Sequence, residues 1–279
     1  MYAMTHKLYG GKYSLKLMPH GHKYLIGGQE RPGVTSVLAI LNKPGIPQWA
    51  ANQVVEFIKN DSKPFPEHEG QKAWIVTEFD LKRSRTAFLR RRDGSADIGK
   101  QVHKWIEGHI DRKLKGQKSE PKLSELPEEL RPSIESFLKW EKKYQPKYIF
   151  SERIVYSEKH GYCGTCDVGI IIKEKNKETR IILDFKTGKP ERQYDVKTKR
   201  YTGRKRAYTT VFMQDAMYDM AIEEEDGIRA DKYGALYLST NGELLFALTA
   251  QTEVFREAAT DILHLYKSLN KANYLNKWN

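Results

Sequence analysis

The stretch TCDVGIIIKEKNKETRIILDFKTGK, residues 165–189, decides how the chain folds. Two apolar runs, 165–173 and 179–186, flank a polar segment centred on Lys175-Asn176, and Asn suits the positive φ of a tight turn. The pattern reads as an antiparallel hairpin. A turn at that centre sets Asp167 opposite Asp184 on one face, with Cβ atoms about 5 Å apart. Lys186 joins the same face because strand side chains repeat every two residues. The alternation of Ile170, Ile172, Ile182 and Phe185 supports two paired strands. The register rests on the turn centre, and a slip of one residue would separate the acids.

Two carboxylates that close repel unless they share a proton or a cation. Oxygen ligands favour Mg²⁺ or Mn²⁺ over Zn²⁺. An adjacent ammonium can hold a phosphate or a water molecule. Asp167, Asp184 and Lys186 therefore make a candidate site for phosphoryl chemistry. For a bare D-x-K the competing reading is a strand-end salt bridge, and such short matches are common.

The remainder of the chain is compatible with that chemistry. Its 279 residues carry a net charge of +12, and its mean hydropathy of −0.69 is that of a globular protein with a core. No apolar run approaches a membrane span. The N-terminus shows neither the apolar segment of a signal peptide nor an Arg- and Ser-rich transit helix, so the expected location is cytoplasmic. Positive charge concentrates in two blocks. Residues 82–104 hold eight Lys/Arg against Asp93 and Asp97, and residues 189–206 hold eight against Glu191 and Asp195. Two basic blocks on a neutral body point to a polyanion, although a single charge run is more often a solvated face.

The coarse organisation is helices, three strands, a helix, strands and a closing helix, an α/β domain with a mixed sheet. Residues 6–28 read as a short hairpin. Residues 33–58 read as two helical pieces broken at Pro44 and Pro47. Residues 60–70 read as a loop, and 71–115 as helical with a break at Asp93-Gly94. Ile98, Val102, Ile106 and Ile110, spaced by four, form a stripe for burial. A polar linker covers 116–127 and a helix 128–143. Further strands cover 147–157, 165–173 and 179–186. A helix over 208–225 has Thr209 or Thr210 as a candidate N-cap. Asn241-Gly242 marks a hairpin, and 251–271 forms the last helix. We expect an N-terminal hairpin and helical region, 1–80, packed on a core with the C-terminal helix, 81–279, as one compact unit.

Four motifs in order resemble the PD-(D/E)XK nuclease superfamily, and within it the RecB-like branch that includes phage-type exonucleases. They are a helical His103 in IGKQVHKWIE, GTCD at 164–167, ILDFKTG at 182–188 and QDAMY at 214–218. Cys166 rather than Pro precedes the first acid, and Asp184 stands where Glu is commoner. The resemblance implies a restriction-endonuclease-like core with a central mixed sheet flanked by helices. It implies Asp167 and Asp184 as ligands of Mg²⁺ or Mn²⁺, with His103 and the Phe185 carbonyl as further ligands. Lys186 would position or activate the attacking water. Gln214 and Tyr218, at i and i+4 on one helix face, would order the site or touch nucleic acid. Glu152 sits where relatives keep a Glu, Glu107 could order His103, and Thr187 could reach a phosphate.

Cys163 and Cys166 form a CxxC. Two cysteines cannot complete the four-cysteine set of an iron–sulfur cluster, so none is expected, and small buried thiols are the better reading. The second basic block follows Lys186 directly and interleaves Tyr194, Tyr201 and Tyr208 with its cations, which suits phosphate contact and base stacking. Thr202-Gly203 could turn it into a hairpin flap. The candidate nucleic-acid contacts are Arg90, Arg91 and Arg92 in the first block. In the second they are Lys189, Arg192, Lys197, Lys199, Arg200, Arg204, Lys205 and Arg206.

The expected function is metal-dependent DNA hydrolysis in recombination, repair or phage DNA metabolism, exonucleolytic by resemblance. Two alternatives remain: an endonuclease on the same core, or a catalytically silent nucleic-acid-binding module. The expected partner is single- or double-stranded DNA. A single-strand annealing or other recombination protein is a partner the resemblance suggests.

Overall fold

The computed structural model describes residues 4–18, 23–41, 45–68, 70–117, 122–174, 177–195 and 197–272. The chain clusters into two units, one made of residues 1–40 with 101–279 and the other of residues 41–100. The sequence division fell at 80/81.

The larger unit is a mixed α/β assembly. It opens with β1 (Met4–Leu8), β2 (Tyr13–Met18), β3 (Lys23–Ile26) and β4 (Gln29–Arg31), followed by α1 (Val34–Leu38). These strands form a four-stranded antiparallel sheet in chain order, where a short hairpin was expected. Leu15, Tyr24 and Ile26 bury one face of it against Tyr156 and Cys163.

The smaller unit holds α2 (Gly45–Asp61), β5 (Lys63–His68), β6 (Gln71–Ile75) and α3 (Glu78–Ser84). Helix α4 (Ala87–Leu114) begins there and passes into the larger unit. Three expectations are corrected here. Residues 60–70 are not a loop, because β5 pairs antiparallel with β6; prolines 64 and 66 are tolerated because a two-stranded ribbon has only edge strands. Pro47 does not break α2, because it lies in the first turn, where its missing N–H costs nothing. Pro44 lies outside the described residues. Helix α4 runs unbroken through Asp93-Gly94; the interruption comes earlier, at Arg85-Thr86. Thr77 caps α3 by a reciprocal capping box with Asp80.

Within the larger unit, Val102, Ile106 and Ile110 of α4 are wholly buried, as their spacing requires. Helix α5 (Arg131–Tyr144) buries Ile134, Phe137 and Trp140 at helical spacing. Then come β7 (Lys147–Ser157), β8 (Tyr162–Glu174) and β9 (Lys177–Lys186). A hairpin of β10 (Glu191–Asp195) and β11 (Arg200–Arg206) leads into α6 (Thr209–Asp226). The chain closes with β12 (Lys232–Leu238), β13 (Leu244–Thr249) and α7 (Thr252–Lys271).

The central sheet has the order β13-β12-β9-β8-β7. β7, β8 and β9 form an antiparallel meander. α6 then carries the chain across so that β12 lies parallel to β9, and β13 returns antiparallel. Parallel neighbours need such a crossover, which places a helix over the sheet. α6 is buried on most of its surface, from Val211 to Ile222, and ends at Gly227, whose φ of 67° terminates it in the left-handed conformation. Its N-cap position is Tyr208, without a side-chain cap, rather than Thr209 or Thr210. The basic hairpin turns at residues 197–199, not at Thr202-Gly203, which lies inside β11. Thr202 instead uses its hydroxyl to bridge to the Gln193 carbonyl across the ribbon. No described helix is long and apolar enough to cross a membrane.

Candidate metal and nucleic-acid site

β8 and β9 pair from Glu174↔Lys177 to Val168↔Leu183. That is the register which brings Asp167 and Asp184 to adjoining positions, although the turn centre Lys175-Asn176 lies outside the described residues. The pairing ends one step before the two acids. There the Phe185 N–H donates to Asp167 Oδ2 at 2.8 Å, so a side-chain carboxylate takes the donor at the end of the ladder. On the other side, Ser151↔Val168 and Arg153↔Cys166 bracket Glu152 and Asp167 across β7 and β8. Glu152 has a φ of 46°, a left-handed conformation that costs an L-residue about 1–2 kcal/mol.

α4 supplies the remaining donor. His103 Nδ1 lies 3.7 Å from Asp167 Oδ2, and its ring meets Phe185 edge-on at 6.1 Å. One donor atom each from His103, Glu152 and Asp167 lie within 4.8 Å of one another, a group that could hold a metal ion. Glu152, to which the sequence reading gave a supporting part, is one of the three. Asp184 is held by its neighbours. Lys186 stands two residues beyond Asp184 on β9, on the same face, and its Nζ lies 2.6 Å from Asp184 Oδ2. Gln214 Nε2 donates to Asp184 Oδ1 at 2.9 Å and to the Tyr218 hydroxyl at 3.1 Å. Tyr218 is only 3% exposed, so this pair orders Asp184 from beneath.

The electrostatics follow from crowding acids in a buried place. Burial pushes the Glu152 carboxyl up to about 8, helped by the charges of Asp167, Glu107, Asp184 and Asp111. Glu107 thus acts on Glu152. Burial raises Asp184 to about 6 against the pull of Lys186, and raises Asp167 as well. Burial works against the Lys186 ammonium, yet Asp184 and Asp167 outweigh it and hold its pKa above the usual lysine value. Burial lowers His103 despite Asp184 and a hydrogen bond to the Phe185 backbone. The imidazole is therefore neutral near pH 7, the form that offers a lone pair to a metal.

A buried acid beside Gln214 escaped the sequence reading. Asp215, beside Gln214 on α6, is fully buried, and burial with the charge of Asp184 pushes its carboxyl up against the pull of Lys186 and of a hydrogen bond from the Gly234 backbone. The signal was present in VFMQDAMYDMAI: an Asp inside an apolar helical stretch has to be buried with the helix, and a buried Asp is rarely unpaired.

Gly164 of the GTCD motif is required by space. A Cβ there would lie 2.5 Å from the Tyr218 ring and 3.0 Å from Val34. Gly164→Ala is expected to push Tyr218 off Gln214 and lower Tm by about 3–8 °C in calorimetry.

The expected nucleic-acid contacts fare unevenly. Lys189, Arg192, Lys197, Lys199 and Arg204 are exposed. Lys205 is paired with Glu243 at 2.7 Å and Arg206 with Glu191 at 2.8 Å. The Arg200 side chain lies outside the description, as do those of Tyr194 and Tyr201. Arg90, Arg91 and Arg92 belong to the 41–100 unit, whereas His103 belongs to the other. Arg90 is engaged with Thr86 Oγ1, the Arg83 carbonyl and the Phe57 ring, and Arg92 with Asp93. Thr187 is half-buried just past β9. Cys163 and Cys166 are both free and buried, and burial pushes both thiols up.

No protein-family model matches the chain, and no curated protein matches its sequence.

Proposed function

We propose that the chain is a divalent-cation-dependent DNA nuclease with a restriction-endonuclease-like core of the RecB-like kind, acting as an exonuclease. The observation that carries this reading is the meeting of His103, Glu152 and Asp167 within 4.8 Å, beside an Asp184–Lys186 pair at 2.6 Å, where the β8–β9 ladder ends. The donor set fits a hard cation, with carboxylate oxygens and a neutral imidazole and no thiol. Asp167, Asp184 and Asp215 act on one another around the Lys186 ammonium, and Asp167 and Asp184 also act on Glu152, an excess of negative charge that Mg²⁺ or Mn²⁺ would offset. When bound, such an ion supplies Lewis acidity toward a phosphate oxygen and lowers the pKa of water.

The chain's own groups have distinct tasks in this reading. His103, Glu152 and Asp167 hold the cation. Lys186 keeps its proton and offsets charge developing on the scissile phosphate. Gln214 and Tyr218 fix Asp184. The exposed cations of the β10–β11 hairpin attract the phosphate backbone without reading sequence.

The test is end-labelled single- and double-stranded DNA incubated with Mg²⁺ or Mn²⁺, beside covalently closed circles. Cation-dependent shortening from an end with intact circles is the expected result. Nicked circles would make the enzyme an endonuclease on the same core. DNA binding with no cleavage under either ion would leave a silent binding module and refute the hydrolase.

A further inference from the structure

Residues 82–92, KRSRTAFLRRR, hold six Lys/Arg and no acid. Most such runs are solvated faces, but the structure seats two of these arginines on aromatic rings of the 41–100 unit. The Arg83 guanidinium lies 5.2 Å from the centre of the Phe57 ring and 5.5 Å from that of Phe79. Arg90 lies 5.4 Å from the same Phe57 ring. Phe79, Arg83, Phe57 and Arg90 therefore form a ladder in which rings and guanidiniums alternate. Arg90 is fixed in it by donating to Thr86 Oγ1 and to the Arg83 carbonyl, each at 2.9 Å, which leaves further donors of its five. The two rings differ in exposure. Phe57 is 8% exposed and Phe79 is 65% exposed, so Phe79 offers an open face at the end of the ladder.

Beside the ladder, α2 and α4 line a cleft of about 310 Å³. α4 supplies Arg90 and Arg91, and α2 supplies Phe57, the amides of Gln53 and Asn60, and the acids Glu56 and Asp61. The two walls suit different parts of one ligand. Arginines take phosphate, whereas carboxylates repel it and can accept from the amino groups of base edges, which amides also meet. A DNA strand with unpaired bases has both parts, a charged backbone and free flat bases with polar edges. A duplex keeps its base faces stacked inside and presents mainly phosphate and sugar. An open ring, a row of cations and a polar cleft together favour the single strand.

We propose that the 41–100 unit is a docking surface for single-stranded DNA: a base stacks on Phe79, and the backbone follows Arg83, Arg90 and Arg91 past the cleft. This assignment names a substrate class for the proposed nuclease, and it rests on that reading for turnover but not for binding. Phe79 was outside the candidates read from sequence, because an exposed ring and a core ring look alike in a helix three turns from its partners.

The test is fluorescence anisotropy of labelled oligo(dT), and of a duplex of the same length, with the full chain in chelator over a salt series. Phe79→Ala should weaken oligo(dT) binding about tenfold and leave duplex binding within about twofold. Its salt slope should be unchanged, since a stacking face and no charge is lost. Phe79→Trp should restore the affinity. Arg91→Ala should weaken oligo(dT) binding and lower the salt slope by about 0.7, one phosphate contact on a single strand. Phe79 and Arg91 are both exposed, so Tm should stay within about 2 °C of the wild type in each variant. Oligo(dT) affinity untouched by Phe79→Ala, or an equal loss on both DNAs, would overturn the proposal. Phe79-dependent binding in a protein that cuts no DNA with Mg²⁺ or Mn²⁺ would leave the surface standing and sink the nuclease reading alone.

Discussion

Asp184→Ala and Lys186→Ala are each expected to lower DNA cleavage by about 10³-fold or more while DNA affinity stays within about threefold. Asp184 is 2% exposed and ties together Lys186 Nζ and Gln214 Nε2. Its removal frees both groups at once. Lys186 is the ammonium that Asp184 and Asp167 keep charged inside the site, so in the proposed nuclease its loss would remove a positive charge that offsets the scissile phosphate. Binding should survive because the exposed cations of residues 189–204 remain. Cleavage is read on end-labelled DNA and binding by anisotropy with Ca²⁺ in place of Mg²⁺. Unaltered turnover in either variant would remove Asp184 and Lys186 from the chemistry.

Stability of the cation-free protein should depend on pH through Glu152, with a definite sign. Its folded pKa of about 8 lies above the usual glutamate value of 4.5. The folded state therefore binds this proton more tightly than the unfolded state. Its contribution is fully present below about pH 4.5 and is lost as pH rises toward 8. Asp184, raised to about 6, adds a loss of the same sign at lower pH. Glu152→Gln removes the first loss. In chelator, urea unfolding should show the variant gaining on the wild type from pH 5 to 8.5, reaching about 1–3 kcal/mol after allowance for partial exposure. Mn²⁺ should reverse the order at high pH, because it binds the ionised wild-type acid and stabilises the folded state by mass action. Parallel pH curves for the two proteins would show that Glu152 does not sit among the acids as described.

The two sets of residues read differently from sequence. The hairpin of β8 and β9 was legible because its information is local: two apolar runs and a polar turn specify a register, and the described pairs follow it. The α4 stripe was legible for the same reason. The basic hairpin was legible as a hairpin but not in its turn, since Thr202-Gly203 looks like a turn and yet lies inside β11. In the 41–100 unit, Pro64, Pro66 and Gly94 read as breakers. Their actual cost depends on whether a strand is at an edge or a helix is held by its flanks, which composition does not express.

By itself, the sequence determined the order of the elements from α5 to α7, the spacing that brings Asp167 toward Asp184 and Lys186, and the alignment of Gln214 with Tyr218. Those depend on periods of two and 3.6 residues along one segment. Only the tertiary structure decided that Glu152 comes close to His103 and Asp167, that Asp184 is held by Lys186, and that Asp215 is fully buried. Each of those facts depends on distances between segments far apart in the chain and on the burial that sets the strength of their charges, and neither is written in the neighbourhood of any one residue.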